Sequence, residues 1–244
     1  MTREEAWLLN EKYGGEPNDE FVRDCERLRM GEPLAYVIGW VPFHGAKIWL
    51  DSHPLIPRPE TEHWVGEAMR EMKHRDSLNV LDLCAGSGCI GIAVAKNVPG
   101  VRTDFAELDV SHHPTIKKNL GENGLGYSRI CGGDLFACVE GPYDYILANP
   151  PYIDPLHDRT DESVREHEPE LALYGGPGGL EFIERILAQS RAFLSPRGIL
   201  FLEHEPEQAE AVRDLGREQG FTSEAHEDQY GVRRYTRLTV AEGT

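Results

Sequence analysis

Val80-Leu-Asp-Leu-Cys-Ala-Gly-Ser-Gly-Cys-Ile-Gly-Ile-Ala-Val94 joins an apolar strand to a helix through a glycine turn. The apolar run Leu78–Cys84 has the continuous hydrophobicity of a strand buried on both faces. Gly86 and Gly88 let the turn take positive φ and let backbone approach a ligand closely. A helix over Gly88–Asn97 follows. From here the pattern alternates. Strands are expected at Val101–Ala106, Arg129–Cys131, Tyr143–Ala148 and Gly198–His204. Helices are expected at His112–Glu122, Gly179–Leu194 and Glu207–Gln219. Two further runs, Phe221–Ala225 and Arg233–Val240, suit a closing antiparallel hairpin. Strands alternating with helices make a mostly parallel sheet covered on both faces.

Upstream of this block the reading is different. Residues 1–30 look helical, with Asn18 capping a helix that gathers Phe21, Val22, Cys25 and Leu28 on one face. Residues 31–59 hold two short β-like runs, Ala35–Val41 and Lys47–Leu50, separated by Pro42 and Gly45. Pro57 and Pro59 keep the chain extended until a helix opens near Glu60, presenting Trp64, Val65, Ala68, Met69 and Met72 on one side. Residues 60–244 form the main α/β domain.

The chain has 244 residues, 40% of them hydrophobic, and a formal charge of −17. That balance supports one large folded domain rather than disorder. The acidity disfavours a phosphate backbone as partner and suits a basic protein better. The five cysteines, with no Cys-x-x-Cys pair, read as reduced thiols without a disulfide or a zinc site. The charged start, MTREEAWLLNEK, is unlike a signal peptide, and no apolar run reaches the ~20 residues of a membrane span. The expectation is a cytoplasmic protein, not bound to membrane.

The turn is not the G-x-G-x-x-G of dinucleotide folds. It is preceded by Asp82, which suits a ligand carrying a positive amino group, such as the methionine end of S-adenosylmethionine. A carboxylate ending the next strand would accept from ribose hydroxyls. Glu107 directly follows that strand and is the choice. Asp109 is the alternative, or else the cap of the next helix. In Gly132-Gly-Asp-Leu-Phe136, Asp134 would accept from an adenine amine with Leu135 against the ring, unless it is simply a turn acid.

Tyr145-Ile-Leu-Ala-Asn149-Pro-Pro-Tyr152 ends a buried strand in an amide, two prolines and an aromatic ring. Pro150 and Pro151 remove two N–H donors and stiffen the loop. The Asn149 Oδ1 and the Pro150 carbonyl can then grip both N–H bonds of a planar –NH2 group, with Tyr152 as a flat wall. Such a nitrogen is a poor nucleophile because its lone pair is delocalised. Holding it toward tetrahedral geometry is catalysis by positioning and electrostatics, with no strong base required.

These two motifs resemble the Asn-Pro-Pro-Tyr amino-methyltransferases. Gly31-Glu-Pro-Leu-Ala-Tyr-Val-Ile-Gly39, Leu55-Ile-Pro-Arg-Pro-Glu-Thr-Glu62, the Asp82–Gly88 turn, Glu168-Pro169 with Ala172-Leu173, and Leu202-Glu-His204 with Gln208 narrow the resemblance. It is to the HemK/PrmC family, which methylates the glutamine in the Gly-Gly-Gln motif of peptide chain release factors. The resemblance runs from about residue 31 to the end. It implies a class I S-adenosylmethionine-dependent methyltransferase fold, Rossmann-like, with a seven-stranded mostly parallel sheet. A short N-terminal helical element for substrate docking and a β-hairpin linker precede it. By position, it assigns Asp82, Cys84, Ala85, Gly86, Ser87, Gly88, Glu107, Asp134, Leu135 and Asn149 to the cofactor. Asn149, Pro150, Pro151 and Tyr152 go to the target amide, and Pro57–Thr61 should close the site. The implied partner is a release factor, acted on by a monomer that binds no nucleic acid stably. A ribosomal-protein glutamine, or less readily a nucleobase amine, is the alternative substrate. The sequence departs from the family at Cys84 and Glu107, where glycine and aspartate are usual, and at Glu205, which replaces the glycine of Glu-His-Gly. The N-terminal helical region is also cut to about thirty residues.

Overall fold

The computed structural model describes residues 1–73 and 75–241. In chain order the elements are α1 Arg3–Tyr13, α2 Asp19–Arg29, α3 Leu34–Ile38, β1 Trp40–Phe43, β2 Ala46–Trp49 and α4 Pro59–Met72. The alternating block follows with β3 Asn79–Leu83, α5 Cys89–Asn97, β4 Arg102–Glu107, α6 His113–Glu122, β5 Ile130–Gly132 and β6 Tyr143–Ala148. After it come α7 Glu162–His167, α8 Glu170–Leu173, α9 Glu181–Ser190, β7 Leu194–Glu203, α10 Ala209–Glu218, β8 Phe221–Glu227 and β9 Arg233–Val240.

Seven strands form one sheet in the order β5-β4-β3-β6-β7-β9-β8. The first five run parallel, and β9 pairs antiparallel with both β7 and β8. The order reverses at β3, so the loops after β3, β4 and β6 open a crevice at the strand C-termini, where such sheets bind ligands. Each sheet face has its own core. One gathers Trp64, Ile92, Phe105, Tyr145 and Phe201 under α4 and α5. The other gathers Leu81, Ile146, Ile183, Ile186 and Leu200 under α9. Consecutive strand residues alternate between the two cores, as a period of two requires.

The N-terminal helices form a separate small cluster around Leu8, Cys25 and Val37. Asn18 caps α2 by accepting the Phe21 amide at 2.9 Å, as expected. Phe21, Cys25 and Leu28 join the cluster, but Val22 points outward and is 54% exposed. Its place in the expected apolar face is therefore corrected. On a 100° helical step Val22 lies beyond the narrow stripe that so small a cluster can cover.

Three element expectations are also corrected. Leu34–Ile38 is a short helix, not the start of a strand, because Pro33 opens it and Gly39, at φ +94°, closes it in the left-handed region. The hairpin strands are Trp40–Phe43 and Ala46–Trp49 instead. The helix expected over Gly179–Leu194 is shorter. Gly179 has φ +68°, and Phe193 O accepts the Tyr143 amide at 2.7 Å, which ends the helical stretch and lets β7 begin at Leu194. The expectation of reduced thiols fails at Cys131 and Cys138, which are joined in a disulfide. The turn after β5 folds back and brings their Cα atoms to 5.9 Å, within bridging reach. Cys25, Cys84 and Cys89 are free. Among the described residues no helix is long and apolar enough to cross a membrane.

Candidate active site

The glycine turn leaves β3 through Cys84 (φ +60°), Gly86 (φ +52°) and Gly88 (φ +78°) and starts α5. Gly91 has a packing reason. A Cβ there would lie 2.5 Å from Phe105 Cε1, so glycine alone lets α5 lie this close to β4. Asp82 is fully buried, and its Oδ2 accepts the Gly91 amide at 2.8 Å. Its Oδ1 has no hydrogen-bond partner, and burial holds the carboxyl well above the usual carboxylate range. Asp82 thus anchors the first turn of α5 and does not line the cavity above it.

Glu107 ends β4 and reaches across to the neighbouring loop. Its Oε2 accepts the Gly86 amide at 2.7 Å and its Oε1 the Asp109 amide at 2.8 Å. Asp109 caps the following turn through the Ser111 amide. Of the two acids, Glu107 is the one bonded to the glycine loop. Asp134 follows β5 and carries the Arg185 guanidinium on its Oδ2. Leu135 beside it is buried.

These groups face one cavity, partly open to solvent, which runs from Cys84, Gly86 and Glu107 past Asp134 and Leu135 to Asn149. An acid at the β4 end, a bare backbone loop and an apolar floor ending in a second acid fit a nucleoside bearing a short amino-acid chain. Of the residues expected around the cofactor, Asp82, Ala85, Ser87 and Gly88 shape the loop from behind rather than line the cavity. No group of three or more candidate metal ligands occurs among the described residues.

A second cavity, lined by Arg58, Pro150, Tyr152, Thr160 and Glu205, meets the first at Leu55, Asn149 and Ala172. Asn149 therefore stands where the two spaces join. Its Nδ2 donates to Thr61 Oγ1 at 3.3 Å. Thr61 Oγ1 donates to Glu203 Oε2 at 2.7 Å, and Trp64 Nε1 donates to the same oxygen at 2.6 Å. Tyr152 donates its hydroxyl to Glu203 Oε1 at 2.9 Å. Burial raises the Glu203 carboxyl above its ordinary range, opposed by the hydrogen bonds from Trp64, Thr61 and Tyr152.

Backbone contacts fix the rest of the loop. Gln208 Nε2 donates to Tyr152 O at 2.8 Å and to Gly178 O at 2.9 Å. A Cβ on Gly179 would sit 1.9 Å from Tyr152 O, so only glycine permits this packing. Glu168 holds the extended segment 55–58 that leads into α4. Its Oε2 accepts the Ile56 amide at 2.9 Å, and its Oε1 accepts Arg58 Nη2 at 2.6 Å. Arg58 is thus an anchored residue beside the second cavity, not a stray surface charge. The roles of Glu203, Glu168 and Gln208 were not read from the sequence. One signal was there for Glu203, a carboxylate ending an apolar strand exactly as Glu107 does.

Residues 68–166 match the family model described as Methyltransferase small domain. The chain is 32% identical over 242 residues to the release factor glutamine methyltransferase of Deinococcus radiodurans, covering 98% of this chain and 86% of that protein. It is 36% identical over 234 residues to the enzyme of the same name from Rhodopirellula baltica, covering 92% and 79%. In fold it is similar to a methyltransferase from Pyrococcus furiosus, at TM-score 0.61 and 18% identity over 89% of this chain and 97% of that one. With identity over nearly its whole length and the glycine turn and Asn-Pro-Pro-Tyr loop set around adjoining cavities, the chain belongs to the release factor glutamine methyltransferase family.

Proposed function

We propose that this protein transfers a methyl group from S-adenosylmethionine to the side-chain amide nitrogen of the glutamine in the Gly-Gly-Gln motif of a peptide chain release factor. The observation that carries this reading is the position of Asn149 at the junction of the two cavities. A group there can touch both a methyl donor on one side and an acceptor amide on the other.

The bound cofactor supplies an electrophilic methyl group on a sulfonium centre. The chain's residues do the rest. Glu107 would hold the ribose hydroxyls, and Asp134 with Leu135 would hold the base. Cys84–Gly88 presents backbone to the remainder, with Asp82 fixing that turn from below. Asn149 Oδ1 and the Pro150 carbonyl accept the two N–H bonds of the substrate amide. Pro151 stiffens the loop, and Tyr152 walls the planar group. Gripping both N–H bonds sets the nitrogen lone pair on the line to the methyl, which supplies most of the acceleration by orientation. Transfer would form the N–C bond as the methyl–sulfur bond breaks, its electron pair staying on sulfur to leave a neutral thioether, and one amide proton would leave to solvent.

Residues 1–30 serve in this reading as a short docking element, residues 31–59 as a β-hairpin linker, with 57–61 closing the site, and residues 60–244 as the methyltransferase domain. The enzyme works as a cytoplasmic monomer without stable nucleic-acid contact. The test is methyl transfer from labelled S-adenosylmethionine to intact release factors, a Gly-Gly-Gln peptide, ribosomal proteins and nucleic acid in parallel, with the product mapped by mass spectrometry. One methyl on the Gly-Gly-Gln glutamine is expected. Label only on a ribosomal protein or on nucleic acid would overturn the substrate assignment.

A further inference from the structure

Glu203 belongs to neither cavity's expected chemistry, yet it is the point where the reaction loop is tied down. Its side chain is 1% exposed at the end of β7, under the Asn149–Tyr152 loop. Three donors from two different segments converge on its two oxygens: Thr61 and Trp64 of α4 on Oε2, and Tyr152 of the loop after β6 on Oε1. A buried carboxylate is costly unless its lone pairs are filled, so each of these donors is held in place.

Thr61 has one hydroxyl proton, and it points at Glu203. Toward Asn149 the hydroxyl can therefore only accept. The face of the asparagine side chain turned to Thr61 must be its –NH2, and its carbonyl oxygen must turn away. An asparagine amide is nearly symmetric in shape. Without such a partner nothing decides which end faces the substrate, and only the oxygen can accept from a substrate N–H. We propose that Glu203, acting through Thr61, is the positioning residue that sets the Asn149 amide with its oxygen toward the substrate, and that through its other oxygen it fixes the Tyr152 ring. The proposal rests on the reading of Asn149 as the substrate's acceptor.

The two arms differ in what they tolerate. Trp64 Nε1 can only donate, so in Glu203→Gln the new amide turns its oxygen to Trp64 and Thr61 and its nitrogen to Tyr152. The Asn149 arm survives, and the Tyr152 hydroxyl switches from donor to acceptor. In Thr61→Val the Asn149 arm is lost at constant volume, while Trp64 and Tyr152 still fill the carboxylate.

The experiment compares Thr61→Val, Thr61→Ser and Glu203→Gln by kcat and KM on the Gly-Gly-Gln substrate, by S-adenosylmethionine Kd and by melting temperature. Thr61→Val should lower kcat about ten- to a hundred-fold, with the cofactor Kd within about twofold of wild type. Thr61→Ser, which keeps the hydroxyl, should recover most of the rate. Glu203→Gln should fall by no more than roughly severalfold. A serine variant no better than valine, or a cofactor Kd that weakens in step with kcat, would overturn the proposal. The Asn149 side-chain amide protons are followed by NMR in the absence of substrate. They should exchange slowly in wild type, faster in Thr61→Val and slowly again in Thr61→Ser. Should Thr61→Val not fold, the wild-type protein decides alone, because Asn149 protons exchanging as fast as exposed asparagines contradict the bond. This readout stands even if the chain methylates none of the substrates offered, so failure of the substrate reading and failure of the positioning chain are told apart.

Discussion

Glu107 Oε2 and the Gly86 amide lie 2.7 Å apart, so the acid ending β4 is bonded to the glycine loop that ends β3. One carboxylate thus holds the shape of the loop while Glu107 also lines the cavity. Removing it should disturb both. Glu107→Ala should weaken S-adenosylmethionine binding roughly tenfold to a hundredfold, the equivalent of about 1.5–3 kcal/mol for lost bonds to a charged group. Glu107→Asp is too short to span to Gly86 and should fall between. Isothermal titration with the cofactor checks this. Asp109→Asn weakening the cofactor more than Glu107→Ala would move the ribose contact to Asp109.

Cys84 holds φ +60° at the first position of the turn, where a side chain crowds its own backbone. Left-handed backbone costs an L-residue about 1–2 kcal/mol, and glycine nothing. Part of that gain is returned because glycine makes the unfolded chain more flexible. Cys84→Gly should therefore stabilise the protein by up to about 1 kcal/mol, raising the melting temperature by about 2–4 °C for a domain of this size. A lower melting temperature would show that packing of the thiol outweighs the backbone term.

Asn149 is assigned to the acceptor amide rather than to holding the cofactor in place. Asn149→Ala should cut kcat by roughly a thousandfold or more, the loss typical of a group that acts on the reacting atoms. Cofactor affinity should stay within about threefold of wild type. Equilibrium binding and single-turnover rates measured on the same preparation separate the two. A collapse of cofactor binding would assign Asn149 to the donor side instead.

His204 is buried between β7 and β9, with Nδ1 2.8 Å from Glu205 O and Nε2 2.8 Å from Thr236 Oγ1. The neutral ring donates to the first and accepts from the second. Burial lowers its pKa from 6.5 to about 4. Because the folded state binds the proton less readily than the unfolded chain, the stabilisation is fully present above pH 6.5 and is lost as pH falls toward 4. The loss should approach about 3 kcal/mol. Urea unfolding followed across that range should show the slope in wild type and a flatter one in His204→Gln. Equal slopes would remove His204 as its source.

Most of the strands were legible because each carries a run of apolar residues long enough to be buried on both faces. Tyr143–Ala148 was read to the residue, and Val80–Leu83 is framed by its glycine turn. Leu34–Ile38 was misread because its β-branched and aromatic residues favour a strand, while the pair that overrides them, Pro33 and Gly39, lies at its edges. The end of α9 was misread because an apolar residue such as Phe193 suits a helix or a strand equally until Tyr143 claims its carbonyl. The Cys131–Cys138 bridge was missed because a cysteine count carries no information about a turn that folds back.

The sequence by itself determined the α/β class, the glycine turn, the acid at the end of β4 and the Asn-Pro-Pro-Tyr loop. Each of these is a local feature, set by spacing within one strand–loop unit and by the conformational limits of glycine and proline. Only the tertiary structure decided what those units do to one another. Thr61, Asn149 and Glu203 are far apart in the chain, and nothing local to any of them points to the others. They meet because β6 and β7 lie side by side while α4 packs across the strand ends. The orientation of the Asn149 amide follows from that meeting alone, since a single hydroxyl proton given to Glu203 leaves Thr61 able only to accept.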